Sequence, residues 1–238
     1  MKKLFLIFVV GCLNFSCSND ENSNNTNPSF SDIPIALNEF DNSSQGIYKG
    51  IILGPMGEAS LIVNIYNDGS VWAKMEINNE EFLFETDDFF PNENINMSYI
   101  FHSGDKEFNF NVLENGLLPE IIAIEFNNVS MRGIILKEKS NALIKCFNGT
   151  YDGEDNGILC TVLGDGKVEI IGKSSSISVN NGIILGQGTE SNGTISNGSM
   201  ILGLSLGSFS GLVEENFING LYSTTQYGDG TWSGNRIL

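Results

Sequence analysis

Closely spaced turn sequences of Asn, Asp and Gly are the feature that most constrains the fold of this 238-residue chain. These residue types tolerate positive φ and favour tight turns between antiparallel strands. The turn sequences are Asn67-Asp68-Gly69, Asn115-Gly116, Gly164-Asp165-Gly166, residues 180–182, Asn192-Gly193, Asn197-Gly198 and residues 227–230. Turns at this density leave room only for short strands. The chain should therefore consist largely of strands joined by hairpins.

The segments between the turns alternate in polarity with a period of two. The alternation is clear in residues 71–77, 108–112 and 200–207. It is typical of strands that bury one face and expose the other, and no long stretch shows the spacing of an amphipathic helix. We therefore predict one all-β domain over residues 46–238, an antiparallel meander closed into a barrel or folded as a β-sandwich. Little or no helix is expected beyond a signal peptide.

Residues 1–16 have the layout of a secretory signal peptide. Lys2 and Lys3 precede a short apolar run over residues 4–10, and such a run is shorter than the about 20 residues that cross a bilayer. Just past it, Ser16-Cys17 resembles the lipobox of bacterial lipoproteins. The resemblance implies cleavage before Cys17 and acylation of that cysteine, palmitate included, so that the protein is anchored without spanning. The alternative is a plain secretory signal with an incidental cysteine.

Residues 17–45 are predicted to be a lipidated, flexible tether. They include the polar run NSNNTN over residues 22–27, and a segment so poor in apolar residues buries too little surface to fold. Residues 18–21 (SNDE) resemble the short acidic tag that sends some outer-membrane lipoproteins to the outer face of the cell. They are equally well explained as the start of a polar linker. We expect a protein of the cell outer membrane, and exposure at the cell surface stays open.

The charge balance narrows the class of partner. The chain has 12 basic and 29 acidic residues and a net charge of −17. Nucleic acid is excluded as a partner because its binding depends on Lys and Arg at the phosphates. The acidity is suited to keeping an envelope protein soluble. Besides the membrane, we expect a protein or glycan ligand and a monomeric protein.

Two cysteines remain within the predicted domain, at Cys146 and Cys160. They lie in a segment that reads as strand, turn and strand, in a compartment where a disulfide can persist. The cysteines face each other only if the turn is centred on Gly153; a turn at Asn156-Gly157 puts them out of register. A disulfide and a pair of buried thiols are both compatible with the sequence.

Two further segments are candidates for binding. Asp152, Glu154 and Asn156, followed by Gly157, match the first half of a calcium loop. Leu163 replaces the glutamate that would complete the site, so the alternative is a polar hairpin turn. Phe89 and Phe90, in a Phe-rich stretch with acidic loops, are either core residues or an exposed binding patch.

The sequence contains no recognisable catalytic constellation. His102 is the single histidine, and no Gly-x-Ser-x-Gly segment accompanies it to supply a nucleophile. We interpret His102 as an ordinary loop residue and expect neither enzyme activity nor a cofactor. The leading interpretation is a non-catalytic binding or structural module. A carrier that holds a small molecule inside a barrel and a carbohydrate-active enzyme are the alternatives.

The sequence at the end of the chain resembles that of a known β-barrel architecture. Gly230-Thr-Trp232-Ser-Gly234 follows a Gly-x-Tyr strand at Gly220-Leu-Tyr222. This is similar to the C-terminal strand of the small eight-stranded β-barrels of surface lipoproteins, such as the transferrin-binding-protein barrels. The resemblance covers residues 149–238 and implies a barrel there. It implies no particular ligand, because the chain lacks a loop-rich handle domain of the length that those receptors use.

Overall fold

The computed structural model describes residues 30–88, 95–126, 129–175 and 182–238. Within these ranges the chain forms sixteen β-strands and two single-turn 3-10 helices, Asn38–Phe40 and Glu114–Gly116. The all-β prediction is therefore confirmed. The first eight strands are β1 (Gly46–Gly54), β2 (Gly57–Ile65), β3 (Val71–Ile77), β4 (Glu80–Phe84), β5 (Met97–Ser103), β6 (Lys106–Val112), β7 (Glu120–Phe126) and β8 (Val129–Glu138). The other eight are β9 (Lys145–Gly153), β10 (Gly157–Gly164), β11 (Lys167–Ser174), β12 (Ile183–Ser191), β13 (Thr194–Leu202), β14 (Ser205–Val213), β15 (Phe217–Thr224) and β16 (Gly228–Arg236).

Strands β1–β8 form a nearly closed antiparallel barrel, called here the N-terminal barrel. Its strand order is β4-β3-β2-β1-β8-β7-β6-β5, so the pairing of β1 with β8 joins two four-stranded meanders. The free edges meet just after β4. There Glu85 and His102 exchange backbone hydrogen bonds of 3.0 and 2.9 Å. His102 thus belongs to β5 and helps to close the barrel, and its interpretation as a loop residue was wrong.

Strands β9–β16 form a fully closed barrel, the C-terminal barrel, in which β9 pairs with β16. Glycine makes this closure sterically feasible. Gly149 is paired with Gly234, and a Cβ atom on Gly149 would lie 1.8 Å from the backbone oxygen of Ser233. The structure therefore realises the barrel alternative of the sequence analysis, and does so twice within residues 46–238. The assignment of that range to a single domain stays a prediction.

Each barrel has its own apolar interior. The N-terminal interior is rich in aromatic rings, and Phe101 stacks on Phe108 with ring centroids 5.1 Å apart. It includes Tyr48, Leu61, Met75, Phe84, Tyr99, Phe101, Phe108, Phe110 and Phe126. The C-terminal interior includes Phe147, Tyr151, Leu159, Ile170, Leu202, Phe209, Tyr222 and Trp232. The inward-facing side chains of both barrels are almost completely buried.

The two barrels pack side by side through the outer faces of their strands. The buried apolar layer between them, called here the seam, comes from β1 and β8 of one barrel and from β9–β11 of the other. Ile144, in the connection between the barrels, completes it. The seam consists of Ile51, Leu53, Leu136, Ile144, Cys146, Cys160, Val162 and Ile171. Because β10 is apolar on both faces, its sequence GILCTVLG is a nearly continuous apolar run rather than an alternating one.

Residues 30–45, which the sequence assigned to the flexible tether, instead pack along both barrels. This strap is held by side chains distant in sequence. Arg236 of β16 donates to Asp32 at 2.8 Å and to the carbonyl of Ser31 at 2.5 Å. Glu138 of β8 accepts the backbone N–H of Ile35 at 2.8 Å. The tether prediction was therefore wrong for residues 30–45, and residues 17–29 lie outside the described ranges.

One turn prediction and one strand prediction also need correction. Asn197-Gly198 lies inside β13, where the pairing with β14 shifts register and Asn197 has φ of 53°, so it forms a β-bulge rather than a turn. The strand expected over residues 200–207 is broken at Gly203, whose φ of 60° turns the chain into β14. The polarity alternation hides this hairpin because a two-residue turn preserves the period of two.

Candidate functional site

A cleft lies at one end of the seam, where the two barrels diverge. Its volume is about 230 Å³, below the usual range for drug-sized ligands. It is lined by Leu53, Gly54, Pro55, Ser130, Met131, Arg132, Ile171, Gly172, Lys173 and Ile183. Leu53 and Ile171 belong to the seam as well, so the apolar layer between the barrels continues into the floor of the cleft.

Strand register places the cleft side chains. Leu53 of β1 is paired with Arg132 of β8, and Lys173 of β11 is paired with Ile183 of β12. Residues two apart on a strand share a face, so Lys173 follows Ile171 on the outer face of the C-terminal barrel. Each wall of the cleft thus combines apolar side chains with one cation.

Gly54, at the end of β1, leaves room for the side chain of Met131 at the cleft. A Cβ atom on Gly54 would lie 2.7 Å from Cγ of Met131. Without that atom, Met131 packs beneath the hairpin between β1 and β2 and reaches the cleft. The floor is therefore a packed apolar surface.

The two cations of the cleft have no carboxylate partner among the described residues. The ion pairs among the described residues involve other cations, namely Lys49, Lys74, Lys106, Lys139 and Arg236. Among the described residues that line the cleft, none is acidic. By strand register the neighbouring acids are Glu58, which is paired with Leu53 and accepts a hydrogen bond from the Asn148 side chain, and Glu169, four residues and about 13 Å from Lys173 on β11. In a chain with a net charge of −17, the described lining of the cleft therefore combines two cations with an apolar surface.

An exposed apolar row extends from the cleft across the outside of the C-terminal barrel. Ile171 at the cleft is paired with Leu185 of β12, Leu185 with Ile201 of β13, and Ile201 with Leu206 of β14. Leu185, Ile201 and Leu206, called here the apolar row, are 42%, 49% and 63% exposed. Leu204, in the turn between β13 and β14, is 92% exposed beside them. The cleft therefore opens onto a continuous apolar surface.

The loop between β9 and β10 carries the residues that match the first half of a calcium loop. Asp152, Glu154 and Asn156 are all exposed, whereas the unpredicted Asp155 is buried. Asp155 accepts hydrogen bonds from the hydroxyls of Tyr151 at 2.6 Å and Ser174 at 2.9 Å. Burial, and next the hydrogen bond to Asp155, raises the pKa of Tyr151 above its usual range. Across the described residues, no group of three or more His, Cys, Asp or Glu side chains is arranged to hold a metal ion.

Cys146 and Cys160 are free thiols in the structure, and both are buried. Tyr151 is paired with Gly157, which centres the turn on residue 154 and sets Cys146 opposite Val162. The register that a disulfide requires is therefore not formed. Burial in the seam raises the pKa of the Cys146 thiol far above its ordinary value and that of Cys160 to about 12. Both thiols are protonated at neutral pH and act as small apolar groups.

A buried ion pair that the sequence did not reveal lies where the strap meets the seam. Nζ of Lys49 is 2.5 Å from Oε2 of Glu138, and both side chains are almost completely buried. Glu138 also accepts the backbone N–H groups of Ile35 and Ile144. The pair therefore connects the N-terminal barrel, the strap and the segment leading to the C-terminal barrel.

The remaining predicted site residues, Cys17, Phe89 and Phe90, lie outside the described residues. None of the helices in the described part of the chain has the length and apolar character needed to cross a membrane. Comparisons with protein-family models, curated proteins and solved structures found no match.

Proposed function

We propose that this protein is a lipid-anchored protein of the cell outer membrane that acts as a non-catalytic binding module, with the cleft between its barrels as the ligand site. The observation that carries the proposal is the pairing of an apolar floor with Arg132 and Lys173, two cations without a carboxylate partner among the described residues. Charges left without partners beside apolar surface are typical of recognition sites.

The packing of the barrel interiors favours the outside of the molecule as the place where a ligand binds. Fully buried rings such as Tyr99, Phe108 and Phe110 fill the N-terminal interior. In the C-terminal barrel, Trp232 and Phe209 pack edge to face with ring centroids 6.3 Å apart. A carrier with its ligand inside a barrel needs an interior free of such side chains. The packing thus supports binding between the barrels over transport within one.

The anchor part of the proposal depends on Cys17 and is supported by the position of the strap. The strap begins at residue 30, so residues 18–29 would separate the lipid from the folded protein. Arg236 and Glu138 fix the strap to the C-terminal and N-terminal barrels respectively. A lipid at Cys17 would consequently tether both barrels together, rather than the N-terminal barrel alone.

Detergent-phase partitioning tests the anchor. The full chain should partition into the detergent phase, and Cys17→Ala should move it to the aqueous phase. Cys12→Ala, within the signal peptide, is the matched control and should partition like the parent. If Cys17→Ala stays in the detergent phase, the lipid anchor is wrong.

Native mass spectrometry tests the ligand site without assuming a ligand. The full chain released from its own envelope should retain extra mass that the R132Q/K173Q double variant loses. Lys74→Gln is the matched control, since Lys74 is paired with Glu81 on the N-terminal barrel and does not line the cleft. Retained mass that is equal in the parent and in R132Q/K173Q would place binding elsewhere.

A further inference from the structure

We propose that the cleft binds a single-chain amphiphile with an anionic head group, a fatty-acid carboxylate being the simplest example. The head group lies between Arg132 and Lys173, and the tail follows the apolar surface outward along Ile183 and the apolar row. This inference rests on the proposed function for the location of the site and adds the chemical class of the ligand.

The head-group site follows from the two cations. Arg132 presents a planar guanidinium that matches a carboxylate with two parallel hydrogen bonds, and Lys173 adds a compact charge from the opposite barrel. Neither side chain makes an ion pair or side-chain hydrogen bond with a described residue, so an incoming anion displaces no protein carboxylate there. A neutral apolar ligand would leave both cations unused.

The tail site follows from the strand register. From Ile171 to Leu206 the apolar side chains stand side by side on four adjacent strands, which spans about 14 Å at the usual strand spacing. A second line of side chains runs parallel to the first. It starts at Ile183, whose carbonyl accepts the N–H of Gly203, and it reaches the exposed Leu204. An extended hydrocarbon chain leaving the cleft can lie between these two lines.

The dimensions of the cleft favour a single hydrocarbon chain over a bulky ligand. A cleft of about 230 Å³ accommodates about eight non-hydrogen atoms, taking about 30 Å³ for each water-sized group. A ligand confined to the cleft would therefore be small. A single chain is longer than the cleft, and only a chain can use the narrow apolar surface that continues from it.

Calorimetric titration of the full chain, reconstituted in nanodiscs of zwitterionic lipid, tests the proposal. The probes are octanoate, hexanoate and 1-octanol, and empty nanodiscs provide the blank. Octanoate should bind saturably and more tightly than 1-octanol, which has the same tail without the charge. Hexanoate should bind about fifteenfold more weakly than octanoate, because each buried methylene changes affinity about fourfold.

Variants separate the head site from the tail site. R132Q/K173Q should weaken octanoate about tenfold or more and leave 1-octanol unchanged, since charge-assisted hydrogen bonds are lost. Ile201→Ser should reduce the difference between hexanoate and octanoate. Lys74→Gln should bind octanoate like the parent. All four positions are on the outside of the barrels, so the variants should fold.

The proposal is overturned if octanoate does not bind saturably, if 1-octanol binds as tightly as octanoate, or if R132Q/K173Q binds octanoate like the parent. These outcomes are distinguishable from failure of the proposed function. A retained ligand that depends on Arg132 and Lys173 in native mass spectrometry, without octanoate binding, would keep the binding module and reject the amphiphile. Failure of the lipid anchor would be seen separately, as failure to reconstitute in nanodiscs, and the same titration would then be run on the chain in solution with the same expected result.

Discussion

Lys49 and Glu138 form an ion pair, 2.5 Å between Nζ and Oε2, at the point where the strap crosses the base of the seam. Glu138 is completely buried and holds backbone N–H groups from two segments outside its own barrel, at Ile35 and Ile144. A charge in that position is stable only while its partners stay in place. The pair therefore couples the strap to the arrangement of the two barrels.

Removal of one partner from this pair should be strongly destabilising. Lys49→Met leaves the Glu138 carboxylate buried without its counter-charge, and we expect a loss of about 3–5 kcal/mol in the free energy of unfolding. The double variant K49M/E138Q should lose less than Lys49→Met alone, because no unpaired charge remains. Denaturant unfolding measures both values.

Lys74→Met is the matched control for this prediction. Lys74 pairs with Glu81 at 3.0 Å on an exposed face of the N-terminal barrel, and such surface pairs contribute about 0–1 kcal/mol. Equal losses for Lys49→Met and Lys74→Met would show that the buried pair does not have the role described.

Arg236 should control whether the strap stays attached to the C-terminal barrel. It is 4% exposed and donates to Asp32 and to the carbonyl of Ser31 with two different nitrogens. Because lysine lacks the planar fork, Arg236→Lys should release residues 30–37 almost as fully as Arg236→Gln does. Hydrogen exchange of residues 30–37 should become faster in both variants. Protection unchanged from the parent would contradict attachment through Arg236.

Asp68 should give a pH dependence to the turn between β2 and β3. Hydrogen bonds, first from the Ser70 side chain and also from Trp72, Asn64 and the Ser70 backbone, lower the pKa of Asp68 to about 2. Since the pKa in the folded state is below the ordinary value near 3.9, this contribution to stability is present above about pH 4 and is lost as the pH falls towards 2. The site is largely exposed, so we expect less than about 1 kcal/mol.

Carboxyl NMR titration of Asp68 checks this directly. Its midpoint should lie near pH 2 in the parent and should rise in Ser70→Ala, which removes the largest cause of the shift. Asp68→Asn should be less stable than the parent at pH 7 and nearly equal to it at pH 2. A parent midpoint at the ordinary value would contradict the hydrogen-bonded turn.

Cys146 and Cys160 should be unreactive thiols in the folded protein. Both are buried in the seam and their pKa values are raised by burial, so alkylating reagents at pH 8 should modify them only in denaturant. Cys146→Ser should destabilise more than Cys146→Ala, because the hydroxyl would be buried in the apolar seam. A non-reduced mass lighter by two hydrogens would instead show a disulfide in a rearranged β9–β10 hairpin.

The local features of the fold were predictable, and the long-range ones were not. Asn67-Asp68-Gly69, Gly164-Asp165-Gly166 and Asn192-Gly193 do separate consecutive strands, because their preference for positive φ acts within a few residues. Asn197-Gly198 carries the same local signal but forms a bulge. Its register is set by β14 across the barrel, and no short sequence pattern encodes that pairing.

No short sequence pattern indicated the strap or the cleft. Arg236 donates to Asp32, 204 residues away in the sequence, and the strap that contains Asp32 reads in the sequence as part of a tether. The cleft is assembled from the ends of β1 and β11 and the starts of β8 and β12, each of which reads as an ordinary strand. These strand ends lie close together because β1 pairs with the distant strand β8 and because the two barrels pack against each other. Sequence alone therefore predicted strands but not the site.

Hydrogen exchange of the full chain in zwitterionic nanodiscs, with and without saturating octanoate, tests the central claim that ligand binds between the barrels. We expect slower exchange at residues 53–57, 130–132, 171–173, 183–185 and 201–206, and no such change in R132Q/K173Q. Protection that appears instead at residues 152–156, or that is the same in R132Q/K173Q, would contradict it.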